Sequence, residues 1–218
     1  AMVSVWFFVP NLIGYVRVIT GIFAFYYAFD SPGVAAALYT VSYWLDALDG
    51  VAARKLGQTS QFGAVLDMVT DRACTAALLA VLSHFYKQYA FVFIFLLILD
   101  VGSHWVQMYS SLLIGSASHK RFSNSEPALL RFYYTFPYAL FVICAANEGF
   151  LVSLYCLAFV TPATQLMGLS VQVWMTYMAY ATAPVFALKQ VISVVQLFNA
   201  CGRVVANDEE AIAAAKAK

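Results

Sequence analysis

Residues 46–71 have the sequence DALDGVAARKLGQTSQFGAVLDMVTD, which places four aspartates in a chain that is otherwise strongly apolar. Of the 218 residues, 63% are hydrophobic and 11% are charged, about half the charged share of a soluble domain. The apolar runs around this segment approach the roughly 20 residues that a helix needs to cross a bilayer. The sequence therefore predicts an all-α integral membrane protein, a six-transmembrane-helix bundle that forms a single domain over residues 1–218.

Turn signals and polar breaks separate the predicted spans. The sequence Asp30-Ser-Pro-Gly33 ends the first span, and the longest polar stretch, Gly115–Pro127, follows the fourth. Pro184 predicts a kink in the sixth span. Residues 1–10 predict a short N-terminal interfacial segment, because they are apolar and aromatic but too few to cross a bilayer, and residues 202–218 predict a polar cytoplasmic tail. The predicted spans are Asn11–Phe29, Val34–Leu56, Gln61–Phe85, Tyr89–Ile114, Leu129–Phe159 and Leu169–Ala200.

The basic residues predict the orientation of these spans. Most basic residues that lie outside the predicted spans, or at their ends, lie on the side of the membrane where the even-numbered spans end. Lys87 is the exception. Because cytoplasmic loops carry an excess of Lys and Arg, both termini are expected in the cytosol. The net charge of +1 argues against a nucleic-acid partner. The residues that set the orientation are Lys55, Lys120, Arg121, Arg203, Lys216 and Lys218.

The four aspartates are costly in a membrane and need an explanation. Each would cost roughly 2.5–3.5 kcal/mol at the centre of a membrane helix. Asp46 and Asp49 are spaced i,i+3, and Asp67 and Asp71 are spaced i,i+4, so each pair lies on one face of its helix. The loop between the two helices is short. The two faces can therefore meet, and the four carboxylates are expected to converge near the cytoplasmic side.

Three interpretations of this cluster are open from the spacing alone. Arg54 and Arg72 would neutralise two carboxylates in a purely structural cluster, which leaves two negative charges unbalanced. Two hard divalent cations ~3.5–4 Å apart, a recurring arrangement in phosphate chemistry, would balance them. Gly50 and Gly63 would leave room for a bulky ligand near the backbone, although small residues also pack membrane helices closely. A proton or cation pathway is the third interpretation.

The fixed positions of this segment resemble the signature of the CDP-alcohol phosphotransferase family. Pro10-Asn11 and Arg17, before and inside the first span, resemble that family too. Further segments resemble its eukaryotic branch that uses inositol as acceptor, and this likeness thins after about Gly149. The signature positions are Asp46, Asp49, Gly50, Ala53, Arg54, Gly63, Asp67 and Asp71, and the further segments are Phe8–Tyr15, Phe62–Arg72, Ser103–Trp105, Gly115–Lys120 and Leu130–Thr135.

The resemblance implies a reaction, its cofactors and its site residues. A phosphatidyl group passes from CDP-diacylglycerol to an alcohol, here myo-inositol, with release of CMP at the cytosolic face of a membrane, expected to be the endoplasmic reticulum. Two Mg²⁺ or Mn²⁺ ions are held by the four aspartates, with Asp71 also the general base. A homodimer is also expected. The implied CDP-lipid contacts are Asn11, Gly50, Ala53, Arg54, Ser60 and Gly63, although Ser60 is equally consistent with a helix N-cap.

The acceptor pocket is predicted at the serine-rich end of the fourth span and the loop that follows it. Its candidate residues are Ser111, His119 and Lys120, and a solvated loop is the alternative. A sister enzyme that uses inositol phosphate, glycerol phosphate or serine is the nearest competing function, since Arg121 and Arg131 would suit a phosphorylated acceptor. An ion or proton transporter is the more distant one, but the acidic motif occurs once, whereas transporters tend to show duplicated halves.

Overall fold

The computed structural model describes residues 3–113, 127–136, 138–161, 163–166 and 168–216. Over these residues the chain is almost entirely helical, which confirms the predicted all-α membrane class. Short 3-10 turns at Val5–Phe7 and Lys87–Tyr89 precede α1 and α4, and one hairpin, Gln165–Leu166 with Leu169–Ser170, precedes α7. The helices are α1 Val9–Tyr26, α2 Pro32–Lys55, α3 Gln61–Phe85, α4 Ala90–Leu113, α5 Ala128–Thr135, α6 Ala139–Leu157 and α7 Val171–Lys216.

Four helical segments of the described residues are long and apolar enough to cross a membrane: Val9–Tyr26, Lys87–Leu113, Ala139–Leu157 and Val171–Lys216. Helices α2 and α3 have 24 and 25 residues, a comparable length, but they carry the aspartates. The count of six spans stays a prediction. In the residues before α1, Trp6 and Phe7 are 61% and 65% exposed, and the interfacial role of this segment stays a prediction.

The prediction of one continuous fifth span, Leu129–Phe159, is wrong. Helix α5 ends at Thr135 and α6 begins at Ala139, and Phe136 between them has extended backbone angles of φ −75° and ψ 130°. Residue 137 is a proline, and proline disfavours a helical conformation in the residue before it. Tyr138 has a φ of 66°, in the left-handed region. The sequence carried this signal, and the prediction overlooked it.

The sixth predicted span also differs, because α7 does not end at Ala200 but continues through Gly202 to Lys216. Its 46 residues give a length of about 69 Å at 1.5 Å per residue, more than twice the thickness of a bilayer core. The described part of the predicted cytoplasmic tail is therefore helical. Pro184 lies inside this helix, and the predicted kink there stays a prediction.

The hairpin before α7 is an element that the sequence analysis did not predict. Gln165 pairs with Ser170 and Leu166 pairs with Leu169, in antiparallel register. Gly168 has a φ of 79°, a conformation that glycine adopts without steric cost. Strands of two residues are too short to show the alternation of apolar and polar residues from which strands are predicted.

The described residues form two compact units, and the single-domain assignment stays a prediction. The first unit comprises Ala1–Phe93 with Leu151–Tyr177, and the second comprises Ile94–Phe150 with Met178–Lys218. In the first unit, α1 packs against both α2 and α3. In the second unit, the buried apolar core contains Leu130, Tyr133, Ile143 and Ile192.

Two glycines allow α1 to approach α3 closely. A Cβ atom at Gly14 would lie 2.8 Å from Cδ2 of Leu66, and one at Gly21 would lie 2.9 Å from Sγ of Cys74. Small residues at helix contacts are a common device of membrane proteins. Arg17 lies three residues after Gly14 and four before Gly21, so it shares their face of α1 and is directed to the same side.

Candidate active site

The four aspartates of α2 and α3 converge in the structure, as predicted, and a guanidinium group lies among them. Nη1 of Arg17 lies 2.7 Å from Oδ2 of Asp49 and 2.9 Å from Oδ1 of Asp67. Nη2 of Arg17 lies 2.8 Å from Oδ1 of Asp46 and 2.5 Å from Oδ1 of Asp71. One buried side chain of α1 therefore joins all four carboxylates of the other two helices.

The cluster has a closed side and an open side. The side chain of Arg17 is 2% exposed, whereas those of Asp46, Asp49, Asp67 and Asp71 are 36%, 13%, 28% and 34% exposed. The arginine therefore forms the floor of the cluster, and the carboxylates remain accessible from the other side. A ligand that needs carboxylate oxygens can approach them there.

The donor set fits a hard divalent cation. Asp46, Asp49 and Asp67 each offer a carboxylate oxygen, and these oxygens lie within 4.8 Å of one another. Oxygen ligands of this kind suit Mg²⁺ and Mn²⁺. Four carboxylates carry four negative charges, and Arg17 supplies one positive charge. The cluster can therefore hold a divalent metal ion with a net gain in charge balance.

Arg54 and Arg72, the counter-charges predicted from the sequence, do not make the closest contacts with the carboxylates. Nη2 of Arg72 lies 3.7 Å from Oδ2 of Asp71, a longer contact than any that Arg17 makes with the cluster. Arg54 is exposed near the end of α2, and its Nη1 would lie 3.5 Å from a Cβ atom at Gly50. The role of Arg17 in the charge balance was not predicted from the sequence. The available signal was a lone charge inside the first apolar span, which must face the protein interior.

Three of the predicted CDP-lipid residues meet at the start of α3. The backbone N–H of Gly63 donates to Oγ of Ser60 at 3.0 Å, so Ser60 is an N-cap, as the alternative interpretation had it. Nδ2 of the buried Asn11 donates to the carbonyl of Val5 at 2.6 Å. A Cβ atom at Gly63 would lie 2.7 Å from Oδ1 of Asn11. Gly63 is therefore required for close packing, and any nucleotide contact would be an additional role.

Gly50 and Ala53, two further predicted CDP-lipid residues on α2, have different surroundings. A Cβ atom at Gly50 would meet only the guanidinium of Arg54 within 4 Å, so the backbone there is not packed against another helix. Ala53, on the same helix, is partly buried. Space beside Gly50, next to an exposed Arg54, is what an approaching phosphate or nucleotide requires. The lipid-binding roles of both residues stay predictions.

The predicted acceptor residues are described only in part. Ser111 lies in α4, in the second unit, and its buried hydroxyl donates to the carbonyl of Gln107 at 2.9 Å. His119 and Lys120 lie outside the described residues. No position in the described residues therefore confirms the acceptor pocket, and it stays a prediction.

The second unit contains a row of buried polar side chains that the sequence analysis did not recognise. Nζ of Lys189 lies 3.8 Å from Oδ1 of Asp100 and donates to Oγ of Ser193 at 2.9 Å. Nη2 of Arg203 donates to Oε1 of Gln107 at 2.6 Å and to Oγ of Ser110 at 3.0 Å. The signal was the recurrence of polar residues every three or four positions in apolar helices. We call this set the polar seam: Asp100, Ser103, Gln107, Ser110 and Ser111 of α4, with Lys189, Ser193, Gln196 and Arg203 of α7.

These features define a class: a helical membrane protein in which two neighbouring helices hold a carboxylate cluster suited to divalent cations. The particular family follows from comparison with known proteins. Residues 7–185 match the family model described as CDP-alcohol phosphatidyltransferase. The chain belongs to this family, which confirms the resemblance found in its aspartate signature.

Curated relatives cover almost the whole chain. It is 43% identical to the CDP-diacylglycerol–inositol 3-phosphatidyltransferase of Schizosaccharomyces pombe, over 98% of this chain and 95% of the relative. It is 42% identical to the human protein of the same name, over 94% of each chain. It is 38% identical to CDP-diacylglycerol–inositol 3-phosphatidyltransferase 1 of Arabidopsis thaliana, over 95% of this chain and 92% of that one. No solved structure matches this chain.

Proposed function

We propose that this chain transfers the phosphatidyl group of CDP-diacylglycerol to the hydroxyl of myo-inositol, giving phosphatidylinositol and CMP. The observation that carries the proposal is the convergence of Asp46, Asp49, Asp67 and Asp71 within a membrane domain of this family. Relatives from fungi, animals and plants that are named for this reaction support inositol as acceptor. A sister reaction with another acceptor has no comparable support.

The carboxylates are proposed to hold two divalent cations, Mg²⁺ or Mn²⁺. When bound, such ions supply charge neutralisation for the diphosphate and for the departing CMP phosphate. The partly exposed oxygens of Asp46, Asp49 and Asp67 provide the ligands. Because all four carboxylates share Arg17, the ligands are already directed to one small volume before a cation arrives.

Asp71 is proposed to be the general base as well as a ligand. Its Oδ1 is held by Arg17, its Oδ2 lies 3.7 Å from Nη2 of Arg72, and its side chain is 34% exposed. A partly exposed carboxylate of this kind can accept the proton of the inositol hydroxyl. The hydroxyl oxygen then attacks the phosphorus that carries the diacylglycerol, and the bond from phosphorus to the CMP oxygen breaks.

The nucleotide is proposed to lie along α2, beside Gly50 and Ala53. The exposed guanidinium of Arg54 can bind the diphosphate oxygens in a bidentate manner. The open backbone at Gly50 supports a close approach by the ligand. Asn11, Ser60 and Gly63 are proposed to complete the site through the packed start of α3.

The proposed site faces the cytosol in an endoplasmic reticulum membrane. A cysteine at Thr59, which is exposed between α2 and α3, should react with a membrane-impermeant thiol reagent from the cytosolic side of microsomes. A cysteine at the exposed Gln88 should react only after the vesicles are opened. The native cysteines would be replaced first, since Cys201 is exposed. The reverse labelling pattern would contradict the proposed orientation.

A product assay tests the proposed function directly. Purified protein receives CDP-diacylglycerol, Mg²⁺ and one labelled acceptor: myo-inositol, inositol phosphate, glycerol phosphate or serine. Phosphatidylinositol and CMP should form in equal amounts with myo-inositol, and Asp49→Asn should remove both products. Turnover with a phosphorylated acceptor and none with free inositol would make this chain a sister enzyme.

A further inference from the structure

Arg17 is held in place by packing and not only by the carboxylates. Its side chain is 2% exposed, and Gly14 and Gly21 bring its face of α1 against α3. Its carbonyl accepts hydrogen bonds from Oγ of Ser42 and Oγ1 of Thr20, both at 3.0 Å. The guanidinium is therefore a fixed feature of the helix contact, already placed among the carboxylates.

The contacts of this guanidinium do not provide everything that a buried arginine needs. Its two terminal nitrogens contact all four carboxylates, while Nε is buried without a hydrogen-bond partner in the structure. Leaving a buried donor unsatisfied costs roughly 1–3 kcal/mol, more for a charged group. Packing therefore places the side chain, and the cluster of negative charge holds the guanidinium there although its Nε–H has no hydrogen-bond partner.

Arg17 and a divalent cation would use the same carboxylates. With Arg17 and the edge contact of Arg72 as the positive charges, four ionised carboxylates keep a net charge of −2. Two divalent cations together with these two arginines give a net charge of +2. Each carboxylate has about four acceptor sites, so a bound metal ion does not exclude every contact with Arg17. The positive charge of Arg17 nevertheless weakens the attraction of the carboxylates for a metal ion.

We propose that Arg17 is an internal counter-ion, which keeps the four carboxylates converged before metal binds and competes with the metal for them. This inference rests on the proposed metal site and adds a role for a residue that is not itself a ligand. In this role Arg17 is a positioning residue. It stabilises the metal-free protein and thereby lowers the affinity of the cluster for divalent ions.

Direct metal binding tests the inference without any turnover. Full-length protein in detergent is treated with chelator, freed of it and titrated with Mn²⁺, with free Mn²⁺ measured by electron paramagnetic resonance. Because the glutamine side chain carries no charge to compete with the ion, Arg17→Gln should bind Mn²⁺ about tenfold more tightly than the unmodified chain, a coupling that corresponds to about 1.4 kcal/mol. Lys55→Gln, which removes one exposed positive charge from α2, is the matched control and should not change the affinity.

Thermal unfolding of the same proteins gives an independent measurement. In chelator, Arg17→Gln should unfold at a lower temperature than the unmodified chain, and saturating Mn²⁺ should narrow the difference, because metal then supplies the missing charge. If Arg17→Gln does not fold, Arg17→Lys keeps one charge without the fork and should change both quantities in the same direction, by less.

The outcomes separate this inference from the proposed function. Equal or weaker Mn²⁺ binding in both Arg17 variants would overturn the role of Arg17 as a competitor and leave the metal site intact. Failure of the unmodified chain to bind Mn²⁺ would overturn the metal site itself, and the inference with it. Formation of phosphatidylinositol by the unmodified chain is recorded separately, so that the reaction is judged on its own assay.

Discussion

Each of the two units places charged side chains between its helices, but the balance of charge differs between the two units. In the first unit, four carboxylates surround Arg17, with Arg72 contacting the edge of the cluster at Asp71. In the polar seam of the second unit, Asp100 lies opposite Lys189, and Arg203 donates to a neutral amide and a hydroxyl. The first arrangement has an excess of negative charge, and the second does not.

This difference separates a site for a ligand from a contact between helices. Polar and charged pairs that match one another across two membrane helices hold those helices in register. The excess of negative charge around Arg17 requires additional cations, whereas the extra positive charge of the seam, on Arg203, is only partly buried and donates to neutral groups. The comparison therefore supports the proposed catalytic role of the carboxylate cluster and favours a structural role for the polar seam.

Removal of divalent metal should have the largest effect. Excess EDTA is expected to abolish phosphatidylinositol formation, and Mg²⁺ or Mn²⁺ should restore it, since the carboxylate cluster lacks a sufficient counter-charge without them. Radiolabelled product and the residual metal content are measured in the same samples. Full turnover by protein shown to contain no metal would mean that the carboxylate cluster has a structural role, like the polar seam.

Asp71→Asn should have the next largest effect, a loss of about 10²–10⁴-fold in turnover, because the amide cannot accept the proton of the acceptor hydroxyl. Binding of CDP-diacylglycerol should survive better than in Asp46→Asn, which removes a metal ligand without a proposed role in proton transfer. Both variants are compared by turnover and by equilibrium binding of the CDP-lipid. Equal losses of binding would show that the two carboxylates have the same role.

Substitutions in the polar seam should change the stability of the protein and leave the metal dependence of turnover unchanged. Lys189→Met removes the lysine charge beside the buried Asp100, which His104 also contacts, and should lower the free energy of unfolding by up to about 3–5 kcal/mol. The double variant Asp100→Asn with Lys189→Met should recover much of that loss. Unfolding in detergent measures the stability, and the Mg²⁺ dependence of turnover at a permissive temperature should remain unchanged. A shift in that dependence would connect the seam to catalysis.

The sequence was sufficient for the class, the family and the carboxylates, because charge in an apolar chain and fixed spacing are both local signals. It was not sufficient for Arg17, whose contacts depend on three helices meeting. Nor did it reveal the seam, where the partners Gln107 and Arg203 are almost a hundred positions apart. The break at Phe136 was local and readable from the following proline. The extension of α7 beyond Ala200 could not be predicted in this way, because a glycine such as Gly202 usually indicates the end of a helix.

Arg54→Lys should have a moderate effect, about a tenfold increase in the KM for CDP-diacylglycerol with little change in kcat. A lysine ammonium keeps the charge but cannot bind two phosphate oxygens in the geometry of the guanidinium fork. Lys55→Arg, at the adjacent exposed position, is the matched control. Initial rates over a range of CDP-lipid concentrations measure the change. A decrease in kcat alone would move Arg54 from binding to the chemical step.

Ser111→Ala should have the smallest effect, an increase of about threefold or less in the KM for inositol. Ser111 was predicted to bind the acceptor, but its hydroxyl is buried and already donates to the carbonyl of Gln107 in its own helix. A hydroxyl used in this way has only its acceptor sites left for a polyol. Initial rates at varied inositol and fixed CDP-diacylglycerol measure the change, and the KM for the CDP-lipid should stay constant. Ser83→Ala, in which the lost hydroxyl also donates to a carbonyl of its own helix, is the control for the loss of such a bond. An increase above tenfold for inositol alone would place acceptor chemistry within the polar seam, and the division between a catalytic cluster and a structural seam would then be wrong.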